Sequence, residues 1–342
     1  STMSERLDWV MENIPLITRV AEDPIRNIGD WEAADEPWQF LASCEEYHAV
    51  VTKRTRNTTR LCVATDATCS GLQILAGLAR DRKTAQLVNV LPSERPQDAY
   101  KVVAEAAKPH IPPTLHKVWD RKCVKRTVMT IPYNAKPFSN RSYIRDALKE
   151  KGLEIDKEDL TVTVKAVRDA MNNVVPGPMS VMKWIEEEVA KAIKRGATEL
   201  HWITPSGFAV KQYIMKKNIK KFDLQLLGRC VLSVATDNKN EVDLNRHKAA
   251  TAPNLIHSLD ASLLHISIES FDKPIALIHD SVLSRATDMD ELSAIIRKTY
   301  MYLFAEHDYL NEFAKQIGAE TQPPIIGDLE PETVIDSTYF FC

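Results

Sequence analysis

Two aspartates separated by 214 positions, Asp66 and Asp280, each follow a short apolar run: residues 60–65 (RLCVAT) before the first, and residues 274–278 (PIALI) with His279 before the second. If both runs are strands that are neighbours in one sheet, the two carboxylates project from the same edge. Such a pair offers the hard oxygen donors that Mg²⁺ takes while keeping waters and substrate phosphates in its other positions. Two cations held ~3.5–4 Å apart in this way activate an attacking oxygen and stabilise a leaving oxygen in phosphoryl transfer. A third segment carries the complementary charge. Arg121, Lys125 and Met129 recur at intervals of four, so on a helix the two cations share a side, and Tyr133 follows about one turn later. A guanidinium grips phosphate oxygens as a fork, whereas an ammonium acts as a point charge or donates a proton to departing pyrophosphate. Taken singly, each feature has an ordinary reading: an Asp after a strand forms a turn, and an Arg/Lys pair on a helix is solvated surface.

The elements that must position these residues are legible from periodicity. Residues 38–51 carry Phe40, Leu41, Cys44, Tyr47 and Val51 close to a 3.6 period behind Asp35-Glu36-Pro37, which predicts a helix in a mostly helical first 60 residues. Residues 60–65 predict a strand, DATCSG a turn, and Leu72, Leu75, Leu78 and Ala79 a helix. A connection at 92–96 leads to a helix over 97–108, stopped by His110-Ile111-Pro112-Pro113, and another helix starts at Arg121. Residues 159–173 and 180–194 predict two amphipathic helices. Between 200 and 240 the pattern alternates, with a turn at Pro205-Ser206-Gly207, and predicts hairpins. A long helix from about Arg246 or Pro253 to Ser270 precedes a buried strand over 274–278, with Ser281-Val282-Leu283-Ser284 returning as its partner.

Composition sets the class. The chain has 342 residues, 44% hydrophobic and 27% charged, which is globular and excludes disordered and fibrous architectures. No apolar run approaches the ~20 residues that span a bilayer, and the N-terminus lacks the pattern of a signal peptide, so a soluble, intracellular protein is expected. Six cysteines (Cys44, Cys62, Cys69, Cys123, Cys230, Cys342) are scattered without a CxxC pair, which argues against a disulfide scaffold and structural zinc. The net charge of −3 does not advertise a polyanionic partner, but basic runs at 53–56 with Arg60, at 117–126 and at 211–221 do so locally.

Four motifs occur in one order: DATCSGLQ (66–73), RKCVKRTVMTIPYNAKPF (121–138), APNLIHSLDASLL (252–264) and ALIHDS (276–281). In this the chain resembles single-subunit RNA polymerases of the bacteriophage and mitochondrial type, and the similarity covers most of its length. The resemblance implies an α+β, predominantly helical fold: a right-hand polymerase palm built on a small antiparallel sheet, with helical fingers, lacking the thumb and the N-terminal promoter domain. Residues 1–96 would be a helical lead-in and the first part of the palm, 97–257 the fingers with a β-hairpin region near 200–240, and 258–342 the rest of the palm and a C-terminal segment. The implied activity is DNA-directed RNA synthesis by a reduced or truncated core. The alternatives are a non-catalytic nucleic-acid-binding module, or primase-like, distributive synthesis.

By the same resemblance Asp66 and Asp280 bind two Mg²⁺ ions, with the carbonyl of Ala67 an extra ligand. Lys125 and Arg121 hold the triphosphate, and Lys125 is also the proton donor. Tyr133 stacks near the nascent pair and senses the ribose hydroxyl, His257 lies near the sugar or minor groove, and His279 flanks the second metal ligand. The implied partners are a DNA template, ribonucleoside triphosphates and RNA product, with a partner protein or N-terminal lobe supplying what is absent, no membrane, and a host-cytoplasmic location if phage-encoded. The small residues after Asp66 (Ala67, Thr68, Cys69, Ser70, Gly71) leave room for ribose.

Three residues depart from the family pattern. Ala67 and Asn134 stand where the family tends to have Gly. Pro132 removes a backbone donor and crowds the carbonyl of Val128, which predicts a kink or an end to the helix.

Overall fold

A computed structural model describes residues 1–59, 61–224, 230–324 and 327–341; Arg60 of the first basic run, residues 225–229 of the second predicted hairpin, and Cys342 lie outside the described residues. In chain order the N-terminal helices are α1 (Met3–Glu12), α2 (Ile14–Glu22), α3 (Ile28–Trp31) and α4 (Pro37–Tyr47), followed by a π-helical turn, His48–Thr52. Then come β1 (Cys62–Asp66), α5 (Ser70–Ala79), α6 (Arg82–Leu87), α7 (Ala99–Ala107), α8 (Arg121–Thr130), α9 (Pro137–Glu150), α10 (Lys157–Val174) and α11 (Pro176–Lys194). Two hairpins follow, β2 (Leu200–Ile203) with β3 (Ala209–Gln212) and β4 (Met215–Leu224) with β5 (Cys230–Val242). The chain continues through α12 (Leu244–Glu269), β6 (Ile275–Ile278), β7 (Ser281–Arg285), α13 (Met289–Met301) and α14 (Tyr309–Gln316).

The fold is α+β, mostly helical with small antiparallel sheets. Local chemistry places most boundaries. Glu36 takes the N-cap position of α4, with Pro37 at the first helical position, where its missing N–H costs nothing. Gly207 takes φ +78 to close the predicted turn between β2 and β3, its N–H donating to the Thr204 carbonyl at 2.8 Å. Two helices, α6 and α9, carry no pattern strong enough to predict them. The α9 helix buries only Asn140, Ile144 and Leu148, a stripe one residue wide that leaves little periodic signal.

The chain divides into two compact units. One comprises Ser1–Asp66, Glu94–Pro96 and Asp272–Ser293. Its helices close on a small core of Ile17, Val20, Trp31 and Cys44, where burial pushes the Cys44 thiol up to about 11. Its sheet has the order β1-β7-β6, antiparallel throughout.

The sheet corrects two expectations. First, β1 and β6 are not neighbours, because β7 lies between them. Second, β6 is not a buried strand: Ala276, Leu277 and Ile278 are exposed, Ile278 at 59%. Residues paired across an antiparallel ladder point to the same side. Val63, Ser284 and Ile275, with Thr65, Val282 and Leu277, therefore share one face, on which Val282 and Ser284 are buried. Ala64, Leu283 and Ala276, with Asp66, Ser281 and Ile278, share the other, which is open. Antiparallel sheets tolerate one uncovered face, and a four-residue apolar run cannot reveal which side is covered.

The second unit comprises Ala67–Ser93, Gln97–Phe271 and Ala294–Cys342. At its centre α5 is buried at all ten positions and packs against α11 and α12. Glu188 on α11 is fully buried. Its carboxylate accepts from Lys191 Nζ, Thr321 Oγ1 and the Glu320 N–H, each at 2.6 Å, and so pins the 320–321 loop. Burial opposes that charge, but these donors outweigh it and hold the acid at about 2. Among the described residues no helix is long and apolar enough to cross a membrane.

Candidate functional site

The register of β1 on β7 pairs Asp66 with Ser281, the residue that follows Asp280. Because β7 is antiparallel to both neighbours, β1 and β6 run parallel and finish at the same end of the sheet. His279 and Asp280 are the two-residue connection from β6 to β7, closed by the Ile278–Ser281 pair. His279 takes φ +57 there, a conformation that costs a side-chain-bearing residue about 1–2 kcal/mol and that His tolerates better than most. Asp66 is exposed and Asp280 half-buried. Two carboxylates at one sheet end fit what Mg²⁺ takes from a protein when substrate phosphates and water complete its shell. Among the described residues no group of three or more His, Cys, Asp or Glu side chains forms a closed metal cage.

The residues after Asp66 are each fastened elsewhere. Ala67 bridges to Phe341, and the Thr68 hydroxyl donates to the Tyr339 carbonyl at 2.9 Å. Ser70 Oγ lies 3.3 Å from the Tyr133 hydroxyl. Gln73 Nε2 donates to the carbonyls of Val88 and Phe340. Tyr100 is buried, and its phenol is raised first by that burial and then by the Cys69 thiol. The space conferred by Gly71 is taken up: a Cβ there would meet Tyr133 Oη at 3.0 Å and Pro132 Cβ at 3.1 Å.

Capped by Asp120, α8 buries Cys123, Val124, Thr127 and Val128 and exposes Arg121, Lys125 and Met129, the division that the intervals of four predict. Arg121 Nε pairs with Asp98 Oδ2 at 2.6 Å, and its guanidinium sits 5.6 Å from the centre of the Tyr100 ring. Asp98 is a member of this group that sequence reasoning misses. Its visible signal is that of a helix cap, which it also is, accepting from the Lys101 N–H.

Regular helix stops at Thr130, as Pro132 requires, and the chain closes in a Schellman motif. The Ala135 N–H bonds to the Thr130 carbonyl and the Asn134 N–H to the Ile131 carbonyl, with Asn134 left-handed at φ +60. That position takes Gly or Asn, so the departure to Asn134 is conformationally sound. Tyr133 stacks on His257 of α12 with ring centres 4.5 Å apart and planes at 11°. The structure thus brings Asp66, His279 and Asp280 to one sheet end, and Tyr133 onto His257. Of the basic runs, Lys53 and Arg56 pair with Glu22 and Glu46, and Lys211 and Lys216 with Glu199 and Glu241, which uses up much of their local charge.

A model of the DNA-dependent RNA polymerase family matches residues 1–326, and the chain belongs to that family. It is similar to the DNA-directed RNA polymerase of Enterobacteria phage T3, 28% identical over 98% of this chain and 46% of that protein. The DNA-directed RNA polymerase of Pseudomonas phage phiKMV is 30% identical over 99% of this chain and 45% of its own length. A chloroplastic DNA-directed RNA polymerase 3B of Nicotiana tabacum is 30% identical over 98% of this chain and 37% of its own. The chain spans less than half the length of these relatives.

Proposed function

We propose that this chain is the palm-and-fingers portion of a phage-type polymerase and catalyses DNA-templated transfer of ribonucleotides to an RNA 3′ end. The observation that carries the reading is the β1–β7 register, which brings Asp66 to the end of the sheet where Asp280 turns the chain. Residues 1–96 and 258–342 would supply the palm and 97–257 the fingers.

In this reading the RNA 3′ oxygen attacks the α-phosphorus of the incoming triphosphate, and the bond to pyrophosphate breaks. Asp66 and Asp280, with the Ala67 carbonyl, would hold two Mg²⁺ ions. Those ions, when bound, lower the charge barrier to attack and stabilise the departing oxygen. Arg121 forks onto phosphate oxygens in place of Asp98, and Lys125 donates a proton to leaving pyrophosphate. Tyr133, backed by His257, presents a flat wall to the new base pair and its hydroxyl toward the sugar. His279 holds the turn that aims Asp280.

The test is primed extension on a DNA template with Mg²⁺, run separately with ribo- and deoxyribonucleotides. Asp66→Asn and Asp280→Asn should each lower incorporation by at least about a hundredfold, with thermal midpoints unchanged. A wild-type chain that binds template yet extends nothing, with both variants alike, would show a binding module instead.

A further inference from the structure

We propose that Asn134 is a positioning residue for Tyr133: its side-chain amide fills a backbone carbonyl that Pro253 leaves without its helical donor, and so fixes the Tyr133 ring against His257. The consequence for nucleotide choice rests on the reading that Tyr133 and His257 meet the incoming sugar.

The gap that Asn134 fills lies inside α12. Each carbonyl of an α-helix accepts from the N–H four residues on, and proline has none. Pro253 lies within α12, so the carbonyl of Ala249 loses its i+4 partner. The missing donor comes from outside the helix, because Asn134 Nδ2 donates to the Ala249 oxygen at 3.1 Å. The other amide hydrogen goes to Glu186 Oε1 on α11 at 2.6 Å. Lys136 Nζ then donates to Asn134 Oδ1 at 2.6 Å and to Glu186 at 3.1 Å. One side chain therefore joins the end of α8 to both α11 and α12.

Nothing in the local backbone calls for that side chain. A left-handed residue closing a Schellman motif is served as well by glycine, so the amide acts through tertiary contacts. Spacing on α12 shows what it does. Ala249, Pro253 and His257 lie at intervals of four, on one strip of the helix. Asn134 attaches at one end of the strip and Tyr133 stacks at the other, two turns away. A single stacked ring can slide and pivot; a second attachment, one residue along the chain, removes both freedoms. On the α5 side there is no slack behind the ring, since a Cβ added at Gly71 would come within 3.0 Å of Tyr133 Oη.

The experiment uses the full chain with 3-fluorotyrosine at position 133, read by ¹⁹F NMR, alongside primed extension with ribo- and deoxyribonucleotides. Asn134→Gly should shift and broaden the fluorine resonance. It should also lower the preference for ribonucleotides about three- to tenfold, through KM rather than kcat, the size expected for one or two neutral hydrogen bonds. Pro253→Ala returns an internal donor to Ala249, so the same Asn134→Gly change in that background should move the resonance less. An unshifted resonance in Asn134→Gly, or an undiminished effect in the Pro253→Ala background, overturns the proposal. If the wild-type chain extends no primer, the polymerase reading falls, while the fluorine spectra still decide whether Asn134 places Tyr133.

Discussion

Three residues separate β1 from α5, and their surroundings could hardly differ more. Both are apolar in sequence, CVATD against SGLQILAGLA, yet four of the five strand residues are exposed whereas all ten helix residues are buried. The boundary between the two compact units falls between Asp66 and Ala67, within this same stretch. A strand with an open face can carry a carboxylate to a large ligand, because only one side of an antiparallel sheet must be covered. A helix enclosed on all sides cannot serve that purpose. Its value is immobility: α5 holds the residues that follow Asp66, and those residues tie off to Tyr339, Phe341 and Tyr133. Apolar composition alone therefore does not mark a core. The number of covered sides decides whether a segment anchors or presents.

The contrast can be challenged at several points. Leu75→Ala, deep in α5 at 0% exposure, should cost about 2–5 kcal/mol in denaturant unfolding; under about 1 kcal/mol, α5 would be no anchor. Glu188, on the α11 helix that packs against α5, adds a pH dependence. Its folded pKa of about 2 lies below the ordinary 4.5, so its stabilisation is complete above about pH 4.5 and is lost as pH falls toward 2. The amount is about 3 kcal/mol, read from thermal midpoints across that window, and Glu188→Gln should flatten the curve. Gly77→Ala places a Cβ 2.7 Å from the Phe304 ring and should cost about 1–3 kcal/mol by overpacking. Smallest of all, Ile278→Ala on the open sheet face should change stability by no more than about 0.5 kcal/mol. A cost near that of Leu75→Ala would mean that the face is covered in solution.

Much of the local structure is legible in the order of residues. The helix starting at Pro37, the strand ending at Asp66, the turn at Gly207 and the stop before Pro132 each follow from residues within one turn of the event. The side of α8 that carries Arg121 and Lys125 follows from their spacing alone. The narrow stripe of α9 and the six-residue α6 do not stand out, since neither gives a periodic pattern long enough to detect. Asn134 reads as a departure from the family pattern. Its left-handed backbone accounts for the choice of Asn over most other residues, and its partners on α11 and α12 account for the side chain.

Most helix and strand limits, the apolar side of each longer helix and the placing of both aspartates at strand ends are written into short stretches of chain, because those outcomes depend on neighbours a few bonds away. Folding alone settles that β7 rather than β6 lies beside β1, that one sheet face stays open, and that Asn134 answers the carbonyl left by Pro253. A hydrogen bond between residues more than a hundred positions apart leaves no periodicity in the chain. Its partner is chosen by packing, where many sequences would satisfy each end separately and only the folded arrangement joins them.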